Sequence, residues 1–226
     1  MDRQALVCRN ILEKPDITQR EMAKNMDISL GTVNGLVKEC LAEGYIAEKE
    51  NGKEKHLILL EKGKELLKPY KVDGALIIAA GFGSRFVPLT FETPKGLLEV
   101  FGERMIERQI KQLHEVGIYD ITIAVGYLKE KFEYLIDKFD VKLLYNPEYS
   151  CKNTLATVYR ARKFLKGRNV YILSSDNWMR ENMYHSYECG AWYSAAHEEG
   201  ETKEWCLTFN KKGRISDVNV GGKDAW

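Results

Sequence analysis

No apolar run in this sequence approaches the roughly 20 residues needed to span a bilayer, so a membrane-crossing chain is not expected. The opening residues Met1-Asp2-Arg3-Gln4 carry no apolar stretch of the secretory type, which points to the cytoplasm. Cys8, Cys40, Cys151, Cys189 and Cys206 are odd in number and scattered, with no C-x-x-C pair. That argues against a disulfide framework or a zinc site and for reduced thiols. His56, His114, His185 and His197 lack metal-ligand spacing, and no persuasive nucleophile and base pattern is present. Charge of one sign is also lacking. The chain has 34 Lys and Arg against 33 Asp and Glu, and residues 1–70 hold 12 of each sign. Without a basic excess, any nucleic-acid contact must come from local geometry.

What is present is a chain of 226 residues, 44% hydrophobic and 30% charged, long enough for two modest domains. The pattern divides at residue 70. In residues 1–70, an apolar-periodic helix around Leu6, Val7, Ile11 and Leu12 stops before Pro15. Thr18 and Glu21 form a capping box for a short helix, and Ser29 caps the next, which runs to about Ala42 with Val33, Val37 and Leu41 inward. Two strands flank Asn51-Gly52, a hairpin signal, and a closing helix spans 61–69. This order resembles the winged-helix module of bacterial regulators. The resemblance implies a recognition helix offering Ser29, Thr32, Asn34 and Lys38, and a wing offering Lys49, Lys53 and Lys55. A face so poor in arginine leaves DNA binding open against dimerisation or control of the second domain. If DNA is bound, a homodimer is expected, setting two such helices on half-sites about 34 to 36 Å apart.

Residues 71–226 alternate strands and helices. Strands are expected at 74–80, 121–125, 141–145 and 170–174, with helices at 104–116, 128–139 and 154–165. Such alternation implies right-handed crossovers and a largely parallel sheet whose ligands bind at the carboxyl ends of the strands. Gly81, Gly126 and Asp176 all fall at those ends. The loop after the first strand is the most informative segment. Gly81 and Gly83 permit positive φ and close approach, so successive N–H groups can face phosphate oxygens, while Arg85 and Lys95 bring positive charge. A dinucleotide fingerprint would need glycine where Phe86 stands, and a P-loop would need Gly-Lys-Ser/Thr, which does not follow Gly83. Asp176, closing the run Val170 to Ser175, is the first candidate for a magnesium ligand; capping the following turn is the competing role.

The extended pattern G-x-G-S-R-x-x-P-L-T-x-x-x-P-K over Gly81 to Lys95 resembles the signature of the nucleoside-triphosphate transferases that activate sugar 1-phosphates and phosphocholine. Ile106-Glu107-Arg108-Gln109, Val125-Gly126-Tyr127, Tyr145 to Tyr149, Lys152 to Leu155 and Ser174 to Asn177 resemble the choline-phosphate cytidylyltransferase branch more than the sugar branches. The resemblance, spanning about 74–220, implies a Rossmann-like nucleotidyltransferase domain behind the winged helix, with CTP and phosphocholine as substrates and Mg2+ as cofactor. It places Gly81, Gly83 and Ser84 on the phosphates, Arg85 on the β- and γ-phosphates, and Lys95 between the attacking phosphate and the α-phosphate. Ala79, Ala80, Tyr149, Asn153 and Thr154 border the base and ribose. Trp205 takes the position of the choline-facing aromatic, with packing on a strand as its alternative role, since trimethylammonium is held by aromatic faces. Relatives of this type carry a second metal-binding aspartate on a late strand. Asp217 and Asp224, in an expected strand and loop, do not match it, so that ligand is expected beyond Trp226 and the chain is expected to be a C-terminally shortened form. Two other functions stay open: a transcriptional regulator using the second domain as a nucleotide or choline sensor, and a sugar-1-phosphate nucleotidyltransferase.

Overall fold

The computed structural model describes residues 2–51, 54–211 and 213–226. It divides into a unit up to Gly190 and a second unit from Ala191 to Trp226. No helix among the described residues is long and apolar enough to cross a membrane.

The first unit opens with α1 (Arg3–Glu13), α2 (Gln19–Asn25), α3 (Leu30–Ala42), the antiparallel pair β1 (Ile46–Asn51) and β2 (Glu54–Leu59), and α4 (Glu61–Leu67). The Thr18 capping box closes in both directions, and the Ser29 hydroxyl accepts the Thr32 N–H at 3.1 Å. Each bond satisfies an N–H that a helix start leaves without a partner. Helices α1 and α3 bury Ala5, Val7, Cys8, Val33, Val37 and Cys40 against one another. This is the expected winged-helix order. Lys53, at the expected wing tip, lies outside the described residues.

The α/β part follows: β3 (Gly74–Ala79), the short pair β4 (Glu99–Val100) and β5 (Glu103–Arg104), α5 (Met105–Glu115), β6 (Ile121–Val125), α6 (Tyr134–Phe139), β7 (Lys142–Tyr145), α7 (Thr154–Arg160), α8 (Arg162–Leu165) and β8 (Val170–Ser174). Strands β7-β6-β3-β8 form a parallel sheet in that order. Alternate residues of β3 explain its continuous apolar run. Ala75, Ile77 and Ala79 join Ile106, Ile110 and Leu113 of α5 in one core, while Leu76 packs with Ala124, Ala161, Phe164 and Leu165 on the opposite face. A strand covered on both faces has no polar side to alternate with.

Two expected helices are interrupted. Leu128 takes a left-handed φ of +46°, so 129–132 forms only a 3-10 turn before α6. The helix expected over 154–165 breaks at Ala161, whose carbonyl receives the Phe164 N–H at 2.8 Å in a tighter turn, and Phe164 and Leu165 meet the core there.

The second unit is the antiparallel hairpin of β9 (Glu198–Phe209) and β10 (Ile215–Ala225). Asp217 and Asp224 both lie within β10, so the loop placement expected for Asp224 does not hold.

Candidate active site

The loop leaving β3 occupies the middle of the sheet, and its neighbours are bonded to the end of that strand. The Ile78 carbonyl accepts the Ser175 N–H at 3.0 Å from the β8 side, and the Ala80 carbonyl accepts the Tyr127 N–H at 3.1 Å from the β6 side. Ala79 and Ala80 are buried beneath the loop. Gly83 adopts φ +64°, a region that favours glycine, and its carbonyl accepts the hydroxyl of buried Thr90 at 3.0 Å. The loop thus folds back on itself, with Ser84 and exposed Arg85 in a 3-10 turn at its crest.

Gly81 corrects the expectation of two positive-φ glycines, because only Gly83 of the pair takes that conformation. A Cβ placed on Gly81 would meet nothing within 4 Å. The protein's own packing therefore does not require a glycine there.

Lys95 opens a 3-10 turn at the far end of the loop, with its Nζ 4.4 Å from the Phe86 ring centroid and paired with the Asp176 carboxylate. The Ser174 hydroxyl also donates to that carboxylate. Burial pushes the Asp176 carboxyl up, but the hydrogen bonds from Lys95 and Ser174 outweigh it and hold the group below the ordinary carboxylate range. The meeting of Lys95 with Asp176 depends on Gly96. A Cβ at that position would lie 2.7 Å from the Ser175 Cβ and 3.1 Å from the Ser175 carbonyl oxygen.

From the opposite side, α5 holds the chain beyond β8. Gln109 Nε2 donates to the Ser174 carbonyl at 2.9 Å and the Asn177 carbonyl at 2.6 Å, and Arg108 Nε donates to the Met179 carbonyl at 2.6 Å. Neither Gly96 nor the placement of Gln109 was anticipated. The available signal was a glutamine lying between Ile106, Ile110 and Leu113 on the buried stripe of α5.

Toward β7, the ring of Phe82 lies 5.0 Å from that of Tyr127 and 5.2 Å from that of Tyr149, joining the glycine loop to the 146–153 loop. Asn153 caps α7 by accepting the Leu155 N–H at 3.1 Å, and Thr154 is the first, exposed residue of that helix. From the β7 loop to the β8 loop the sheet spans three strand spacings, about 14 Å. Gly81 to Lys95 lies between these loops, with Tyr149, Asn153 and Thr154 on one side and Asp176 on the other. Trp205 belongs to the second unit, 69% exposed on β9 opposite Val220, so the alternative of core packing does not hold.

On α3, Asn34 and Lys38 are exposed, while half-buried Thr32 shares a 2.8 Å hydroxyl contact with Ser29 in the cap. Lys55 on β2 is exposed and paired with Glu48 at 3.2 Å.

A parallel sheet carrying a folded-back phosphate-type loop, with a lysine and an aspartate meeting at its edge, is the architecture of a nucleotidyltransferase. Residues 74–198 match the nucleotidyl transferase family, to which the chain belongs. Residues 9–47 match the winged helix-turn-helix DNA-binding family. Among curated relatives, the choline-phosphate cytidylyltransferase of Streptococcus pneumoniae is 38% identical over 149 residues, covering 66% of this chain and 64% of that protein. The 2-aminoethylphosphonate cytidylyltransferase of Lancefieldella rimae is 35% identical over 154 residues, covering 67% and 63%. A solved structure of CTP:phosphocholine cytidylyltransferase from Streptococcus pneumoniae superposes with a TM-score of 0.64 at 38% identity, covering 69% of this chain and 67% of that one. The chain therefore spans just under two thirds of the length of the two curated relatives.

Proposed function

We propose that this protein is a cytidylyltransferase that joins CTP and phosphocholine to give CDP-choline and pyrophosphate. A phosphocholine oxygen attacks the α-phosphorus of CTP in line, and the bond from that phosphorus to the oxygen bridging to the β-phosphate breaks. The electron pair leaves with pyrophosphate. No side-chain nucleophile is required, so the work falls to positioning and charge neutralisation. Arg85, on the exposed crest of the loop, takes the β- and γ-phosphates, with the backbone of Gly81, Gly83 and Ser84 beneath them. Lys95 bridges the attacking phosphate and the α-phosphate. Ala79, Ala80, Tyr149, Asn153 and Thr154 border the base and ribose.

The donor set also fits Mg2+. Asp176 offers an ionised hard-oxygen ligand, of the kind Mg2+ takes together with phosphate oxygens and water. When bound, it supplies positive charge beside the reacting phosphates.

The contact between Lys95 and Asp176 beside the glycine loop carries this reading, because it sets the two charges such a transfer needs at one sheet edge. The test is pyrophosphate release with CTP, UTP or dTTP against phosphocholine, phosphoethanolamine, 2-aminoethylphosphonate and sugar 1-phosphates. CTP with phosphocholine is expected to be the best pair. A preference for 2-aminoethylphosphonate or a sugar 1-phosphate would overturn the choline assignment, and no turnover with any pair would overturn the enzyme.

Exposed Asn34 and Lys38 on α3 favour a second role. Residues 1–70 form a DNA-reading domain beside a catalytic domain of 71–226. A homodimer in the cytoplasm contacts DNA through Thr32, Asn34, Lys38, Lys53 and Lys55. In that role the transferase domain doubles as a sensor of nucleotide or choline.

A further inference from the structure

We propose that Gln109 is a positioning residue that sets the place of Asp176 and, through it, of Lys95. The inference rests on the reading of Asp176 and Lys95 as site residues. Gln109 is 1% exposed, on the face of α5 that looks up at the end of β8. Its Nε2 donates to the Ser174 and Asn177 carbonyls, which straddle Asp176 along the chain. Ladder pairing of β8 with β3 ends at Ser174, so these carbonyls lie where the sheet no longer dictates their partners.

The orientation of the amide is fixed by chemistry. Turned over, it would set its oxygen against two carbonyl oxygens, with no donor among the three. In the orientation adopted, Oε1 is buried with no partner among the described residues. An unpaired buried amide oxygen is destabilising, so a leucine would fill this core position more cheaply. What glutamine adds is the pair of donated hydrogen bonds. Gly96 leaves no room for a side chain against Ser175, so the turn that carries Asp176 is held by the helix and closely approached by the loop.

Gln112 provides a matched control. It is 4% exposed on the same helix, also has a buried Oε1 with no partner among the described residues, and donates to the Met179 carbonyl at 3.2 Å, three residues beyond Asp176. The experiment compares Gln109→Leu, Gln109→Met and Gln112→Leu. It reads melting temperature, kcat, KM for CTP, the Mg2+ concentration giving half-maximal rate, and amide hydrogen exchange across 174–180 in the ligand-free protein.

Loss of the Gln109 donors is expected to lower kcat by about 10-fold to 100-fold, because small displacements at a reacting centre have effects of that size. The Mg2+ requirement should rise, KM for CTP should move less than about threefold, and exchange at 174–178 should accelerate. Gln112→Leu should change only the melting temperature. Parental kcat and Mg2+ dependence in the Gln109 variants would overturn the proposal, as would identical behaviour of the Gln109 and Gln112 variants. If Gln109→Leu does not fold, the methionine variant, equal in length to glutamine, decides. Should the parent protein transfer no nucleotide at all, the enzyme reading fails by itself. Exchange at 174–178 then judges Gln109 independently, and unchanged exchange would overturn its positioning role.

Discussion

Gly81 and Gly96 place opposite demands on the missing side chain. At Gly96 a methyl group would strike Ser175 at 2.7 Å, and something must shift. Gly96→Ala is expected to cost about 1–3 kcal/mol, typical of overpacking, and to lower kcat by moving Lys95 away from Asp176. At Gly81 a methyl meets open space and ordinary backbone angles, so Gly81→Ala should melt like the parent. It should nevertheless raise KM for CTP if, as proposed, the space it fills is where the phosphates approach. Thermal melts and initial rates on the two variants check this; an unchanged KM in Gly81→Ala would mean the ligand does not come close at that point. Lys95 and Asp176, which the structure brings together, could be singled out from sequence because each follows a recognisable signal, a glycine loop and the end of an apolar strand. Gly96 and Gln109 could not. What each touches comes from distant parts of the chain, and no local pattern records it.

At the scale of elements, caps and apolar periods were legible because they are local. The Thr18 and Glu21 box and the Ser29 cap both form as their spacing implies. The 128–139 and 154–165 segments were less so, since tertiary packing, not helix propensity, fixed their breaks at Leu128 and Ala161. Helix α3 carries the prediction that belongs to this scale. Its inward face is filled by Val33, Leu36, Val37 and Cys40, leaving Asn34 and Lys38 outward. Changing both to alanine is expected to weaken binding to a palindromic duplex and to flatten its salt dependence by about one counterion per lysine lost. A salt-titrated binding assay measures both effects. Equal affinity of parent and variant at every salt concentration would remove α3 from the DNA surface.

Across the first unit as a whole, the segment after Asp176 ties the α/β part to the winged-helix module. Arg9 of α1 pairs with Glu188 at 3.2 Å and also donates to the Tyr187 carbonyl at 3.2 Å, while Glu188 accepts the Tyr171 hydroxyl of β8. Burial, reinforced by this carboxylate, pushes the Tyr171 hydroxyl well above its ordinary pKa, so it remains a proton donor. Tyr70 donates to Asp2 at 3.1 Å, and Cys189 packs into the winged-helix core. The change of pattern near residue 70 is a local signal, but this return of the chain is not, because it joins residues far apart. Arg9→Ala should destabilise the protein by about 1–3 kcal/mol, leaving Glu188 without its cation. Glu188→Gln should cost less, since the amide oxygen can still accept from Arg9 while its NH2 donates to the Tyr171 hydroxyl oxygen. Chemical denaturation of both variants tests this, and equal loss in the two would show that the charge, not the hydrogen bonding, carries the tie.

The strand order also has a consequence in time. Strand β3 finds β6 after about 45 residues, but Gly74 pairs with Val170, roughly a hundred residues later. A growing chain offers its winged helix and glycine loop to solvent well before β8 has been synthesised. Only when β8 docks beside β3 does Asp176 come to rest against Lys95. The pairing of Lys95 with Asp176 therefore forms later in synthesis than the glycine loop beside which it lies.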